Sequence, residues 1–237
     1  VARENGVTVG RGVYREALAA ENIVHQLRHD VAVLMGVSPE RICLPFSATF
    51  GLNQAIHGVL KCGDHVIATA ADHNATLRPL RYLEKKGQIH LTIVPCDTRG
   101  WVDPDEVIRA WQANTRLVAV SHASNVTGVV QDVKTMVNMA REREAISLLD
   151  ASQSLGQVPF FQDLPTADIV VSPGHKWLLG MHGTAVLYVR QGIRFEPLIQ
   201  GGTGSKSNSL DMPGDNQDLI EVGTLDVPAV AALGAGC

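Results

Sequence analysis

The feature that most constrains this chain is an alternation. Short runs of nearly unbroken apolar residues take turns with longer stretches in which apolar residues recur at every third or fourth position. ICLPF (42–46), HVIATA (65–70), IHLTIVP (89–95), RLVAVSH (116–122), AISLLD (145–150), ADIVVS (167–172) and TAVLYV (184–189) are the apolar runs. A strand with one wet face shows polar residues at alternate positions, so strands without that alternation must be covered on both faces. The sequence therefore predicts an α/β domain of three layers: a mostly parallel sheet with helices on both faces.

The intervening stretches supply the covering helices. Val13, Ala17, Ala20, Ile23, Val24, Leu27, Val31 and Leu34 predict a helix over 12–36 that Gly36 stops. TFGLNQAIHGVL (49–60) reads as a helix with Thr49 as its cap, and ATLRPLRYLEKKG (75–87) as one whose Pro79 falls early enough to be tolerated. DPDEVIRAWQ (103–112) has Asp103 as cap, Pro104 at the first helical position and Glu106 placed to close a capping box. VKTMVNMARER (133–143) is a further helix, a short one is expected around 152–156, and the polar, Gly-rich residues 199–226 read as a long surface excursion. The helical pattern starts almost at once and PAVAALGAGC opens another, so the chain is expected to be a piece of something longer.

Composition narrows the functional classes. With 45% hydrophobic and 19% charged residues this is an ordinary globular chain, and its net charge of −4 includes no basic block, so no nucleic-acid partner is expected. No apolar run approaches the roughly 20 residues of a membrane span, and there is no leader pattern, which points to a cytoplasmic protein without a membrane partner. Cys43, Cys62, Cys96 and Cys237 lack metal-ligand spacing; no metal site or disulfide framework is expected, and Cys43 and Cys96 read as buried, inert thiols. His25, His29, His57 and His65 read as surface or helix-end residues.

In an open parallel sheet, ligands bind beyond the carboxyl ends of the strands. The residues there are Ser47-Ala48-Thr49, Asp72-His73-Asn74, Ser121 to Asn125, Asp150 to Gln153, and His175-Lys176. Asp150 emerges from a buried strand, where a carboxylate needs a cation or a donor. Lys176 follows the next strand, and a lysine in a closed site is suited to forming an imine with a carbonyl. Ser47-Ala48-Thr49 at a helix start offers backbone N–H groups to an anion. Singly these are a helix cap, a solvated loop residue and another cap. Together they are what pyridoxal phosphate requires: a partner for the pyridine nitrogen, an anchor and a phosphate cradle. A nucleotide-binding module is the first rival, but GGTGSKS fails the phosphate-loop spacing. The second is a scaffold subunit without activity.

SHASNVTG, LLDASQSLGQVP, GHKWLLGMHGTAVLYV and EVGT, in this order, resemble the class V branch of fold-type I pyridoxal-phosphate enzymes, near the cysteine desulfurases and selenocysteine lyases. The resemblance implies that residues 1–237 form the large cofactor-binding domain, without its N-terminal arm and C-terminal small domain. It implies that Lys176 carries the cofactor as an imine, Asp150 pairs with the pyridinium nitrogen and Gln153 bonds the phenolic oxygen. His73 would stack on the ring, and in a desulfurase it is also a candidate to take the substrate thiol proton. Asn125 would lie near the phenolic oxygen and the substrate carboxylate, Ala48, Thr49 and His175 would face the phosphate, and Thr224 would reach the phosphate of a second subunit, making a homodimer. The implied reaction is removal of sulfur from cysteine to leave alanine, with a sulfur acceptor protein as a further partner; class V aminotransferase or another amino-acid lyase is the alternative. Departures are Pro173, with Ser172 one step earlier, where relatives often have a phosphate-binding serine; Phe50 for glutamate; Ser47 for glycine; and Asp72 for glutamate.

Overall fold

The computed structural model describes residues 9, 12, 14–159, 167–204 and 208–237. Helices α1 (Arg15–Met35), α2 (Ala48–Val59), α3 (Asn74–Lys85), α4 (Pro104–Arg109), α5 (Val133–Glu142), α6 (Asn216–Ile220) and α7 (Val227–Gly234) accompany strands β1 (Ile42–Cys43), β2 (Asp64–Thr69), β3 (Ile89–Val94), β4 (Thr115–Ser121), β5 (Ile146–Asp150), β6 (Ile169–Pro173) and β7 (Ala185–Val189). The strands form one sheet in the order β1-β7-β6-β5-β4-β2-β3. β2, β3, β4, β5 and β6 pair in parallel, and β7 runs antiparallel to both β6 and β1, so it alone opposes the rest.

The two faces carry separate cores, as strands apolar at every position require. Leu117, Ala119, Leu148, Ile169 and Val171 meet Leu52, Ala55 and Ile56 of α2 and Leu80 and Leu83 of α3. Val118, Val120, Leu149 and Val170 meet the other layer, which holds Leu27 and Val31 of α1, Val107 of α4, Met136 and Val137 of α5, and Val230 and Leu233 of α7. The crossovers after β2 and β4 thus leave for opposite faces, and a crevice opens between those two strands at their carboxyl ends.

Several local expectations are revised. The ICLPF strand is only Ile42–Cys43: Pro45 has no N–H for a ladder, and the Leu44 N–H donates to Glu221 Oε1 at 2.9 Å instead. Thr49 lies inside the first turn of α2, and the cap is Ser47, whose Oγ accepts the Phe50 N–H at 3.1 Å. Asp103 caps α4 as its type demands, but the Glu106 carboxylate bonds Arg109 rather than reaching back to close a box. Residues 152–157 make successive turns, not a helix. Within the 199–226 excursion, α6 buries Leu219 and Ile220. His65 is fully buried, bridging Thr115 Oγ1 and Thr92 Oγ1 at 2.8 and 2.9 Å across three strands. Val13 and the Ser205–Ser207 part of GGTGSKS lie outside the described residues.

One ion pair ties the excursion to the rest. Arg28 Nη2 of α1 lies 2.5 Å from Glu221 Oε2, with both side chains only 12% exposed, and the other carboxylate oxygen holds Leu44. Burial pushes the Glu221 carboxyl up, with Arg28 acting against that. Removing one member of such a pair strands the other. Glu221→Ala is expected to lower unfolding free energy by about 3 kcal/mol, measured by urea denaturation; a midpoint within error of the parent protein would contradict this account.

Candidate cofactor site

The register of the central strands decides which side chains meet. Ser121 of β4 pairs with Asp150 of β5, which pairs with Val171 of β6. Because side chains alternate, Ser121, Asp150 and Pro173 fall on the face covered by α2 and α3. There the carboxyl edge forms a cleft of about 220 Å³. Lys176, Asp150, His73, Ala48, Thr49, Asn125, Gln153 and His175 all line it, so eight of the nine residues singled out in the sequence converge. Thr224 does not; it borders a separate hollow beside Leu44, Phe46 and Asp226.

The cleft has a buried floor and an open rim. Asp150 is 5% exposed and Ser121 is buried, whereas His73, Thr49, Asn125 and His175 are exposed. Asp150 Oδ1 accepts the Ser152 N–H at 3.0 Å, so this aspartate does cap its own turn. Its Oδ2 has no hydrogen-bond partner among the described residues and is the oxygen left for a donor in the cleft. At the start of α2 the Ala48 and Thr49 amides have no acceptor within the helix, because Ser47 takes only the Phe50 amide.

Lys176 owes its place to the antiparallel return of β7. The segment between β6 and β7 is a hairpin loop closed by the Gly174 N–H donating to the Thr184 carbonyl at 2.9 Å and the Gly180 N–H to the Gly174 carbonyl at 2.8 Å. Gly174 is needed: a Cβ there would lie 2.3 Å from Thr184 Oγ1. Leu178 is buried and pins the loop, leaving Lys176 half-buried at the cleft. His175 stacks on His182 with ring centroids 4.6 Å apart, and burial, followed by His182 and Lys176, holds its pKa below the usual histidine value.

Two placements refine the expected roles. Ser172 points to the other face, where its hydroxyl donates to the Ala151 carbonyl at 3.4 Å, so it does not line the cleft; Pro173 does, without an N–H to donate. His73 caps α3: its Nδ1 accepts the Ala75 N–H at 3.1 Å. The ring's lone pair is thereby engaged, and the neutral tautomer carries its proton on Nε2.

Asp72 has a part that the sequence did not reveal. Its carboxylate accepts the Thr69 N–H at 2.7 Å and the Ser121 N–H at 2.5 Å, clamping β2 to β4 beneath His73, whose own N–H reaches Ser121 Oγ at 3.4 Å. Only its position after a buried strand hinted at this. Burial, the largest effect, outweighs those two bonds and with the nearby charge of Asp150 pushes its pKa from near 3.8 to about 7.

The α/β fold thus gathers a strand-end carboxylate, a helix N-terminus and a hairpin-borne lysine around one cleft. Comparison with known proteins makes this specific. The aminotransferase class V profile matches residues 3–237. A probable cysteine desulfurase of Methanothermobacter thermautotrophicus is 32% identical over 98% of this chain and 59% of its own length. The apo cysteine desulfurase of Thermococcus onnurineus NA1 superposes with a TM-score of 0.88 at 28% identity, covering 97% of this chain and 59% of that one. The structure of SspA in complex with cysteine gives 0.84 at 27% identity, covering 96% and 63%. The chain belongs to the class V aminotransferase family and spans about three fifths of the length of these relatives.

The raised Asp72 pKa has a sign that can be measured. A carboxyl whose pKa is higher in the folded than in the unfolded chain favours folding fully below its unfolded value and loses that contribution as pH rises through the folded one. Asp72→Asn cannot ionise, so its melting temperature should gain on the wild type between about pH 5 and about pH 8. Thermal unfolding at several pH values checks this; a gap that stays constant with pH would refute it.

Proposed function

We propose that the complete protein is a pyridoxal-phosphate enzyme acting on amino acids, and that its reaction is desulfuration of cysteine to alanine. The observation that carries this is the convergence of Lys176, Asp150 and the start of α2 on one cleft. The residues fit the cofactor. Asp150, buried and lining the cleft, would receive the pyridinium N–H on Oδ2, a charge-assisted bond about twice as strong as a neutral one. The Ala48 and Thr49 amides, with His175, would hold the phosphate, here without the serine that relatives often supply. Lys176 would anchor the carbonyl carbon, Gln153 and Asn125 would face the phenolic oxygen and the substrate carboxylate, and His73 would lie over the ring.

Bound there, pyridoxal phosphate supplies a sink for the electron pair left at the substrate α-carbon. Asp150 would keep the ring nitrogen protonated. Lys176 Nζ would receive the α-proton as general base. His73 would orient the ring. Since its Nδ1 already accepts the Ala75 N–H, stacking suits it better than taking a thiol proton. The similarity to cysteine desulfurases supports cysteine as the substrate, with sulfur passing to an enzyme thiol and then to an acceptor protein. Residues 1–237 would be the large domain, and Thr224, which does not line the cleft of its own chain, would serve the phosphate of a second subunit in a homodimer. A cytoplasmic location fits this reading.

Incubation of the complete protein with the cofactor, cysteine and a reductant is expected to give sulfide and alanine in equal amounts. A keto acid with aminated cofactor would instead establish the aminotransferase alternative. Borohydride reduction should leave the cofactor on Lys176, and Lys176→Ala should lower turnover between about 10²- and 10⁴-fold; label on another lysine would overturn the assignment.

A further inference from the structure

The indole of Trp177, directly after Lys176, donates from Nε1 to Oε1 of Gln153 at 3.1 Å. This bond joins the two turns that carry the central groups of the cleft, the Asp150–Gln153 turn and the His175–Lys176 turn. Just beyond these turns the backbones come close: Gly156 has φ of +88°, and a Cβ there would lie 2.5 Å from the Trp177 carbonyl oxygen. Trp177 is 42% exposed, and its bond to Gln153 is exposed too, so it adds little to the stability of the fold.

Its chemical content is a matter of direction. A glutamine amide presents an acceptor on one side and two donors on the other, and rotating it by half a turn exchanges them. Indole has a donor and no acceptor, so only Oε1 can face it. With Oε1 held at Trp177, the Nε2 group is the part of Gln153 left for the cleft that the residue lines.

We propose that Trp177 is a positioning residue that fixes the sense of the Gln153 amide, so that an N–H donor and not a carbonyl faces the cofactor's phenolic oxygen. The inference rests on the reading of the cleft as a pyridoxal-phosphate site. An amide in the other sense would set a carbonyl oxygen against an oxyanion. A donor at that oxygen draws charge away from it, and the oxygen then holds the proton on the adjacent Lys176-cofactor nitrogen less firmly. Loss of the donor must therefore raise the pH at which that proton leaves.

The test is a pH titration of the visible absorbance of the complete, cofactor-loaded protein. Gln153→Ala is expected to raise the midpoint, and Trp177→Phe, which keeps a ring but loses the N–H, to raise it by roughly half a unit. Adding Trp177→Phe to Gln153→Ala should cause no further shift, because Trp177 acts only through Gln153. A Trp177→Phe midpoint equal to the wild type, or a shift that persists in full without Gln153, overturns the proposal. So does an unmoved midpoint in Gln153→Ala. If Trp177→Phe does not fold, 3-benzothienylalanine at position 177, of indole shape but with no N–H, takes its place with the same expected shift. A protein that acquires no visible band with the cofactor would fail the underlying reading instead, and the two failures are thus distinct.

Discussion

Everything at the cleft depends on the burial of β4, β5 and β6 on both faces. Strands clothed by helices leave no lateral surface for polar groups, and their polar residues collect where the strands end. Asp150 is the sharpest case. Its strand is buried from Ile146 onward, and the carboxylate meets polar surroundings only at the edge. The pairing of Ser121 with Asp150 places the two side by side, and the alternation of side chains sends both toward α2 and α3. A shift of register by one residue would turn Asp150 into the opposite core, against α5 and α7, and the cleft would lose its anionic floor.

The same alternation explains what could be read from the sequence and what could not. The order of strands and helices was legible because apolar runs and three-to-four spacing report local burial. The residues at the strand ends were legible because the rule for open sheets needs only the strand boundaries. Ser172 was not. Whether it or Pro173 faces the cleft depends on the phase of β6, which a run apolar at every position conceals. Thr49 was mistaken for a cap because the sequence did not mark the start of α2, and Ser47 two residues earlier is an equally good capping type. His65 was misplaced because no local pattern shows that two threonines, on β3 and at the start of β4, will stand on either side of it. Asp72 and Trp177 escaped for a related reason, since each acts through a partner distant in the chain.

Two carboxylates with opposite tasks lie near each other, Asp150 in the floor of the cleft and Asp72 outside its lining. Asp150 keeps one oxygen open, whereas Asp72 spends both on backbone amides and holds together the strands around it. Two buried acids this close would repel if both were charged, and the upward displacement of Asp72 relieves that repulsion. A bound cation paired with Asp150 would relieve it too. A cation bound at Asp150 would thus act on Asp72 as well, although Asp72 does not line the cleft.

The sheet edge at β1 and β7 bears on the order in which the chain can assemble. Ile42 and Cys43 find their ladder partners, Tyr188 and Leu187, only about 150 residues downstream. During synthesis β1 must wait, without its ladder partners, until β7 has left the ribosome, and the Glu221 that binds Leu44 and Arg28 emerges later still. Loop closure over such a distance is slow. The parallel core from β2 to β5 can form first, so the Lys176 hairpin and the first strand dock as a late pair onto a sheet that already exists. A chain from which β7 has not yet emerged therefore has one edge of its sheet unfinished and the apolar side chains of β1 without their ladder partners.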